Sequence, residues 1–460
     1  MCGIAGLISS ELPIQKREET IRAMTSEISH RGPDAEGFLL DDLAALGHRR
    51  LSIIDLSEAA NQPIYDNSGR YSLFFNGEVY NYKTVREQLP NYNFQTESDT
   101  EVVLAAYIEC GADCLEKFNG MFALAVWDSR DKELFFARDR LGIKPFYYFC
   151  GDGQFAFSSE IRALIKSKLF VPKISRKGLE NYLAFQTIYA PNTILEGVYQ
   201  LMPGEYGTFK DGKFQKQLYW SLNAVQSENI QSKEEVKKAV KQKFLKAVER
   251  RLVSDVPLGA FLSGGIDSSA VVAAMASVSD QPVHTFSVSF TEKKYDESVY
   301  ANIIAKKYRT EHTKIPLSPD DFLRMLPESL KAMDSPSGDG PNTYVVSKVT
   351  KEAGITVALS GLGGDELFAG YPVFKQLHRL RSLKPVWLLN EKWRKKLVYG
   401  LSRQKFDAYR SKKLELLFSG ARFDLAKVYP NFRNIFLPNE IRHLLPLTNS
   451  KKSALNGFDL

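Results

Sequence analysis

Cysteine is scarce in this chain, with only Cys2, Cys110, Cys114 and Cys150 among 460 residues. Thiols so placed make neither a disulfide framework nor a zinc pattern. Cys110 and Cys114 lie one helical turn apart, but no histidine or second cysteine pair completes a ligand set. They read as core or half-buried thiols of a reducing compartment, which points to the cytoplasm. No apolar run is long enough to cross a bilayer and no signal peptide opens the chain, so no membrane contact is expected. Internal repeats and low-complexity tracts are lacking too. The charge excess is small, 61 basic against 54 acidic side chains for a net +7. It suits anionic small molecules such as nucleotides and does not by itself indicate nucleic acid. The basic run Lys392-Trp393-Arg394-Lys395-Lys396, with Trp387 nearby, is expected to be a solvated helical face around buried tryptophans.

What is present is length for two or three domains, with hydrophobic content of 44% and charged content of 25%, as in soluble globular proteins. The first half reads as strands parted by turns. Tyr71-Ser72-Leu73-Phe74-Phe75 runs to an Asn76-Gly77 turn, and 121–127 runs to Asp128-Ser129. Residues 133–138 and 146–149 continue the set. Helical spacing of apolar residues appears over 18–28 and 99–109. Between Ser221 and Lys238 the chain becomes polar and charged; a boundary just before it, near Asp211, gives domains 1–210 and 211–460. Strands at 259–262, 283–290 and 355–359 then alternate with helices at 270–276 and 297–307. Such alternation gives a doubly wound parallel sheet, whose ligands sit beyond the carboxyl ends of its strands.

Cys2 stands directly behind Met1 and ahead of Gly3. Methionine aminopeptidase removes Met1 when the next residue is small, leaving a cysteine whose own α-amine, with a pKa of about 7.7–8.0, is within reach of its thiol. One residue then supplies nucleophile and base. Around it come Met1-Cys2-Gly3-Ile4-Ala5-Gly6, His30-Arg31-Gly32-Pro33-Asp34, His48-Arg49-Arg50-Leu51-Ser52-Ile53-Ile54-Asp55, Asn76-Gly77-Glu78-Val79-Tyr80-Asn81 and Ser98-Asp99-Thr100-Glu101. In that order these motifs resemble the glutaminase domain of the class II glutamine amidotransferases, the asparagine synthetase family most closely. The resemblance implies an N-terminal-nucleophile αββα layered domain, followed by a doubly wound ATP-pyrophosphatase domain, α/β overall.

Hydrolysing a side-chain amide needs a thiolate, a base and donors for the oxyanion. The family pattern puts those donors on the Asn76 side chain and the Gly77 N–H. Arg50 is suited to the α-carboxylate of free glutamine, in a planar fork, and Asp99 or Glu78 to its α-ammonium. The same pattern extends the glutamine contacts to Leu51, Ser52, Ile53 and Ile54.

In the second half, Ser263-Gly264-Gly265-Ile266-Asp267-Ser268-Ser269 lacks the Gly-Lys-Ser ending of a Walker loop. It resembles the pyrophosphate-gripping loop of ATP pyrophosphatases that adenylate carboxylates. Glycines let backbone N–H groups approach phosphates, serines donate hydroxyls, and the helix N-terminus adds its dipole. Asp267 is suited to the magnesium that neutralises pyrophosphate, with Asp365 of Gly363-Gly364-Asp365-Glu366 as a second ligand. By the family pattern Leu262, Val288, Ser360 and Gly361 contact adenosine or the α-phosphate.

The resemblance thus implies an enzyme that frees ammonia from glutamine and uses ATP to activate aspartate, yielding asparagine and AMP. Its partners are small molecules, with a homodimer among the assemblies it allows. Three departures leave the acceptor open. Leu362 stands where family members often carry a glutamate, and 337–340 lacks an expected arginine. The family's lysine-containing segment and Pro-Phe-Leu-Asp ending are expected beyond Leu460. A sugar-acid or peptide carboxylate is therefore an alternative acceptor, and a glutaminase or binding subunit whose ATP site needs a second chain is another reading.

Overall fold

The computed structural model describes residues 1–222, 232–290, 296–402, 408–419 and 422–445. Two six-stranded antiparallel sheets build the first half. One has the order Val198–Gln200, Tyr147–Gly151, Gln154–Ser158, Gly3–Ile8, Ala44–Arg50, Ala35–Leu40. The other runs Lys213–Leu218, Glu205–Lys210, Glu133–Arg138, Gly120–Asp128, Tyr71–Val79, Ile64–Tyr65.

Side chains alternate between the faces of a strand, and that alternation builds the layers. In Gly3–Ile8, Ile4 and Ile8 join Phe74, Trp127, Phe136 and Phe155 in a core between the sheets. Ala5 and Leu7 point the other way, onto Ile21 and Met24 of the helix Ile14–Glu27. Likewise Leu73 and Phe75 leave the inter-sheet core to meet Val102 and Val103 of the helix Asp99–Cys110. The result is helix, sheet, sheet, helix. Phe136 packs between Phe146 and Phe155 with ring centroids 5.2 and 5.1 Å apart; each buried ring contributes about 1.5–3 kcal/mol. The same alternation puts Cys2 on the face of Ile4 and Asn76 on the face of Phe74, at one rim of the inter-sheet core.

Asn76 and Gly77 do not form the expected turn. They continue the strand Tyr71–Val79, opposite Ala123 and Phe122. A methyl group on Gly77 would fall 2.5 Å from O of Met121 and 2.7 Å from Cα of Phe122, so the glycine serves close strand approach. The 210/211 boundary falls in the Asp211-Gly212 turn of a hairpin whose second strand, Lys213–Leu218, still belongs to this sheet. In the basic run, Trp387 is buried as expected, but Trp393 is 68% exposed and Arg394 is buried. Arg394 Nε donates to O of Phe418 at 2.7 Å and its guanidinium lies 5.3 Å from the Trp387 ring centre, so Arg394 covers the buried indole.

The second half holds a four-stranded parallel sheet in the order Glu311–Leu317, His284–Phe290, Leu258–Phe261, Val357–Leu359. Helices Lys233–Arg250, Ile266–Val278 and Ser298–Tyr308 pack around Val248, Ala260, Val272, Met275 and Ala301. The strand Glu311–Leu317 escaped the sequence reading because it is a mostly exposed, polar edge strand carrying Pro316. The strand order reverses about Leu258–Phe261, so the loops after it and after Val357–Leu359 share one sheet edge. All four cysteines are free, Cys114 buried, Cys2 and Cys110 half-buried and Cys150 exposed. Among the described residues no helix is long and apolar enough to cross a membrane.

Candidate active site

A narrow cavity of about 40 Å³ opens at the rim of the inter-sheet core. Cys2 lies in its wall with Met1 beside it. The Leu51 N–H donates to Cys2 Sγ at 3.4 Å, the thiol faces O of Leu51 at 3.7 Å, and Arg31 Nε donates to O of Cys2 at 3.0 Å. Burial pushes the thiol pKa up. Burial also lowers the neighbouring Met1 amine to about 6.

Leu51, Ile53 and Ile54 form an apolar wall, and Arg50 closes it. The buried Arg50 guanidinium donates to O of Ser57 at 2.8 Å, to Oδ1 of Asn61 at 2.7 Å and to O of Asp55. All three partners are neutral oxygens, and they fix the planar fork. Ser52 stands apart from the other residues read as glutamine contacts. It does not line the cavity, and its N–H donates to Asp34 Oδ2 at 2.8 Å.

The opposite wall is the end of Tyr71–Val79. Gln62 imitates a neighbouring strand, accepting from Phe75 N at 2.6 Å and donating to Phe75 O at 3.1 Å. His48 Nε2 meets the same carbonyl at 3.1 Å, and burial lowers the His48 pKa to about 3, which keeps the ring neutral. These contacts pin the backbone immediately ahead of Asn76. Asn76 itself is 0% exposed, yet neither its Nδ2 nor its Oδ1 has a hydrogen-bond partner. Buried amides are almost always paired, so an orphaned one in a cavity wall calls for a ligand.

Three ionisable groups complete the cavity. Asp99 accepts from Val79 N at 2.8 Å, and burial raises its pKa to about 7. Burial likewise pushes Glu78 up, against the pull of the Lys144 charge. Lys144, which sequence reasoning missed, is 3% exposed, and burial pushes its pKa down. Its loop is built by Asp139, which accepts from the N–H groups of Phe122, Leu141, Ile143 and Lys144. Arg138 donates to O of Lys144 at 2.7 Å. The only signal in the sequence was the cluster of charges from Arg138 to Lys144 directly after a strand.

At the edge of the parallel sheet the two glycine loops converge. Oγ of Ser263 and Oγ of Ser268 lie 3.0 Å apart, Gly265 N donates to Ser263 Oγ at 3.3 Å, and Gly264 takes φ 85°. Asp267 stands in the first turn of Ile266–Val278. A methyl group on Gly361 would fall 2.6 Å from N of Ser268, and one on Gly364 would fall 2.3 Å from Oδ2 of Asp267. The second loop therefore passes against the first only because it lacks side chains there. Ser360 is exposed beside Gly361, and Val288 is half-buried on the neighbouring strand. The Leu262 side chain is buried in the core and its N–H donates to O of Phe286 at 2.7 Å, so neither faces the cradle. Of the two carboxylates read as magnesium ligands, Asp267 lies in the cradle between the loops, whereas Asp365 lies against Gly370. Among the described residues no group of three or more His, Cys, Asp or Glu side chains is placed to hold a metal. Magnesium is commonly held by one or two carboxylates plus substrate phosphates, a donor set that Asp267 fits.

Comparison with known proteins accounts for both halves. The glutamine amidotransferase domain family matches residues 1–220 and the asparagine synthase family matches residues 239–435. A protein of Methanocaldococcus jannaschii, provisionally named a glutamine-hydrolysing asparagine synthetase, is 37% identical over 409 residues, covering 84% of this chain and 78% of that protein. Asparagine synthetase 1 of Bacillus subtilis is 38% identical over 394 residues, covering 84% of this chain and 61% of its own length. Amidase chry2 of Gibberella zeae is 30% identical over 406 residues, covering 82% of this chain and 60% of its own length. This chain therefore spans between 60% and 78% of the length of these relatives. With an amidotransferase sandwich ahead of a parallel-sheet synthase half, and relatives matching across both, the chain belongs to the glutamine-hydrolysing asparagine synthetase family.

Proposed function

We propose that this chain moves the amide nitrogen of glutamine onto a carboxylate that it first activates with ATP, with aspartate as the acceptor and asparagine as the product. The observation that carries the glutamine half is Asn76, fully buried and unpaired in the wall that also holds Cys2, Arg50 and Asp99.

The resting cavity has room for only a few waters. Removal of Met1 widens it and frees the Cys2 amine. That amine takes the thiol proton as Sγ attacks the side-chain carbonyl carbon of glutamine. Because burial disfavours a free thiolate here, proton transfer and attack go together. The oxyanion accepts from Asn76 Nδ2 and Gly77 N–H, donors already in place and costing no reorganisation. The amine then returns the proton to the leaving ammonia, and water cleaves the thioester to glutamate. Arg50 binds the α-carboxylate, while Asp99 and Glu78 face the α-ammonium.

In the other half, the 263–269 loop grips the β- and γ-phosphates and leaves the α-phosphorus open. Asp267 would hold a magnesium ion, with Asp365 as the second carboxylate expected from the sequence, and that ion would neutralise charge on the phosphates. The acceptor carboxylate attacks the α-phosphorus and pyrophosphate leaves. Ammonia then attacks the acyl carbon and AMP departs.

A second reading keeps this chemistry and changes the acceptor to another carboxylate. It is favoured by the 30% identity to a protein named as an amidase and by Leu362, an apolar residue 88% exposed on the second loop. Both are tested by incubating the protein with glutamine, ATP, magnesium and aspartate. Equal amounts of glutamate, asparagine, AMP and pyrophosphate are expected, and Cys2→Ala should release no glutamate. ADP in place of AMP would refute adenylation. Glutamate without asparagine would favour the second acceptor.

A further inference from the structure

The loop that shapes the glutamine pocket is held from outside by the synthase half. Asp255 lies between the helix Lys233–Arg250 and the strand Leu258–Phe261 that leads into the phosphate loop. Its own N–H donates to O of Ile53 at 2.8 Å, and its Oδ2 accepts from N of Asp55 at 2.7 Å. These two bonds bracket residues 53–55, where Ile53 and Ile54 line the cavity.

Asp55 is a junction. Its backbone takes φ 54°, in the left-handed region that residues other than glycine rarely enter. Its carbonyl accepts from the Arg50 guanidinium. Its Oδ1 accepts from Ser57 N at 3.0 Å and from Ser57 Oγ at 2.6 Å, and the Ser57 carbonyl is a second partner of Arg50. Its Oδ2 accepts from Glu97 N at 3.0 Å, two residues ahead of Asp99. The residue held by the Asp255 side chain thus orients both the cation and the anion facing the cavity.

We infer that Asp255 is a positioning residue for glutamine capture, acting through Asp55 on Arg50 and on the 97–99 segment, so that the synthase half completes the glutamine site. This rests on the amidotransferase reading above. Without the Asp255 carboxylate the loop keeps the bond from the residue-255 N–H to O of Ile53 but loses the one that holds Asp55, so Asp55 relaxes toward ordinary backbone and the Arg50 fork loses its Asp55 and Ser57 carbonyl partners. Cys2 directly precedes the strand Gly3–Ile8 and the Asn76–Gly77 donors lie on Tyr71–Val79, outside the 53–57 loop, and both keep their geometry.

The signature is a KM effect separated from kcat. In Asp255→Ala, the KM for glutamine in glutamate release should rise about tenfold or more, with kcat within about threefold of the native value. Alkylation of Cys2 by iodoacetamide, which needs no α-carboxylate recognition, should keep its rate to within about twofold. Asp255→Asn retains an oxygen to accept from Asp55 N and should return KM to within about threefold of native. A KM unchanged in Asp255→Ala would overturn the inference, as would kcat and alkylation falling together at constant KM, or Asp255→Asn as impaired as the alanine variant. A native protein that released no glutamate at all would defeat the parent reading as well.

Discussion

Replacing Asn76 with alanine separates a catalytic role from a structural one. The side chain is 0% exposed and neither of its polar atoms is paired, so its removal breaks no hydrogen bond of the resting fold. An unpaired buried polar group costs about 1–3 kcal/mol, which alanine recovers. The space left behind costs a similar amount, at about 24 cal/mol per Å³ of residual cavity. The terms offset, and the thermal midpoint should move by no more than about 4 °C. Catalysis should respond very differently. In the proposed mechanism the same amide faces the oxyanion, and loss of one such donor costs about 2.7–4 kcal/mol, or about 100- to 1,000-fold in kcat. Glutamate release at saturating glutamine measures that loss, and a thermal melt of the same sample measures the fold. Since the proposed mechanism recognises glutamine through Arg50 and Asp99, KM should stay within about threefold. A kcat within about threefold of native would refute the oxyanion assignment. A midpoint lowered by more than about 10 °C would show that the amide supports the fold instead.

Two further outcomes follow from the site. Burial raises the Asp99 pKa to about 7, and in the proposed mechanism the ionised carboxylate is the form that pairs with the glutamine α-ammonium. Glutamine binding to the Cys2→Ala variant, followed by calorimetry, should therefore weaken about tenfold for each pH unit below 7 and level off above it; an affinity flat from pH 6 to 8 would exclude this role. Asp267→Asn removes the carboxylate between the two glycine loops, a half-exposed position, and should cut AMP formation by about 100-fold or more with little change in the thermal midpoint; nucleotide chromatography that found normal AMP would remove Asp267 from the nucleotide site.

Much of the cavity was legible because its residues come in short contiguous motifs. Arg50-Leu51-Ser52-Ile53-Ile54 and Asn76-Gly77-Glu78 each run along one wall, so naming the motif names the wall, with Ser52 as the exception that faces Asp34. Local pattern misled at Asn76-Gly77, where turn chemistry was read from two residues that antiparallel pairing with Ala123 and Phe122 holds in a strand. It also missed Glu311–Leu317, whose polar face suits an edge strand and whose partner lies 27 residues back, as His284 is paired with Glu311.

The sequence by itself determined what depends on residue type and near neighbours. It specified a cysteine directly behind Met1, glycine loops after apolar strands, two-residue alternation in the first half and helix–strand alternation in the second. Tertiary structure alone decided what depends on burial and on contacts between distant segments. Lys144 became a cavity residue because Asp139 folds its loop inward, and Asp99 was raised to a pKa of about 7 because the sandwich buries it. Asp55 was joined to Asp255, 200 residues away. Desolvation and long-range pairing are properties of the packed chain, and no window of sequence contains them.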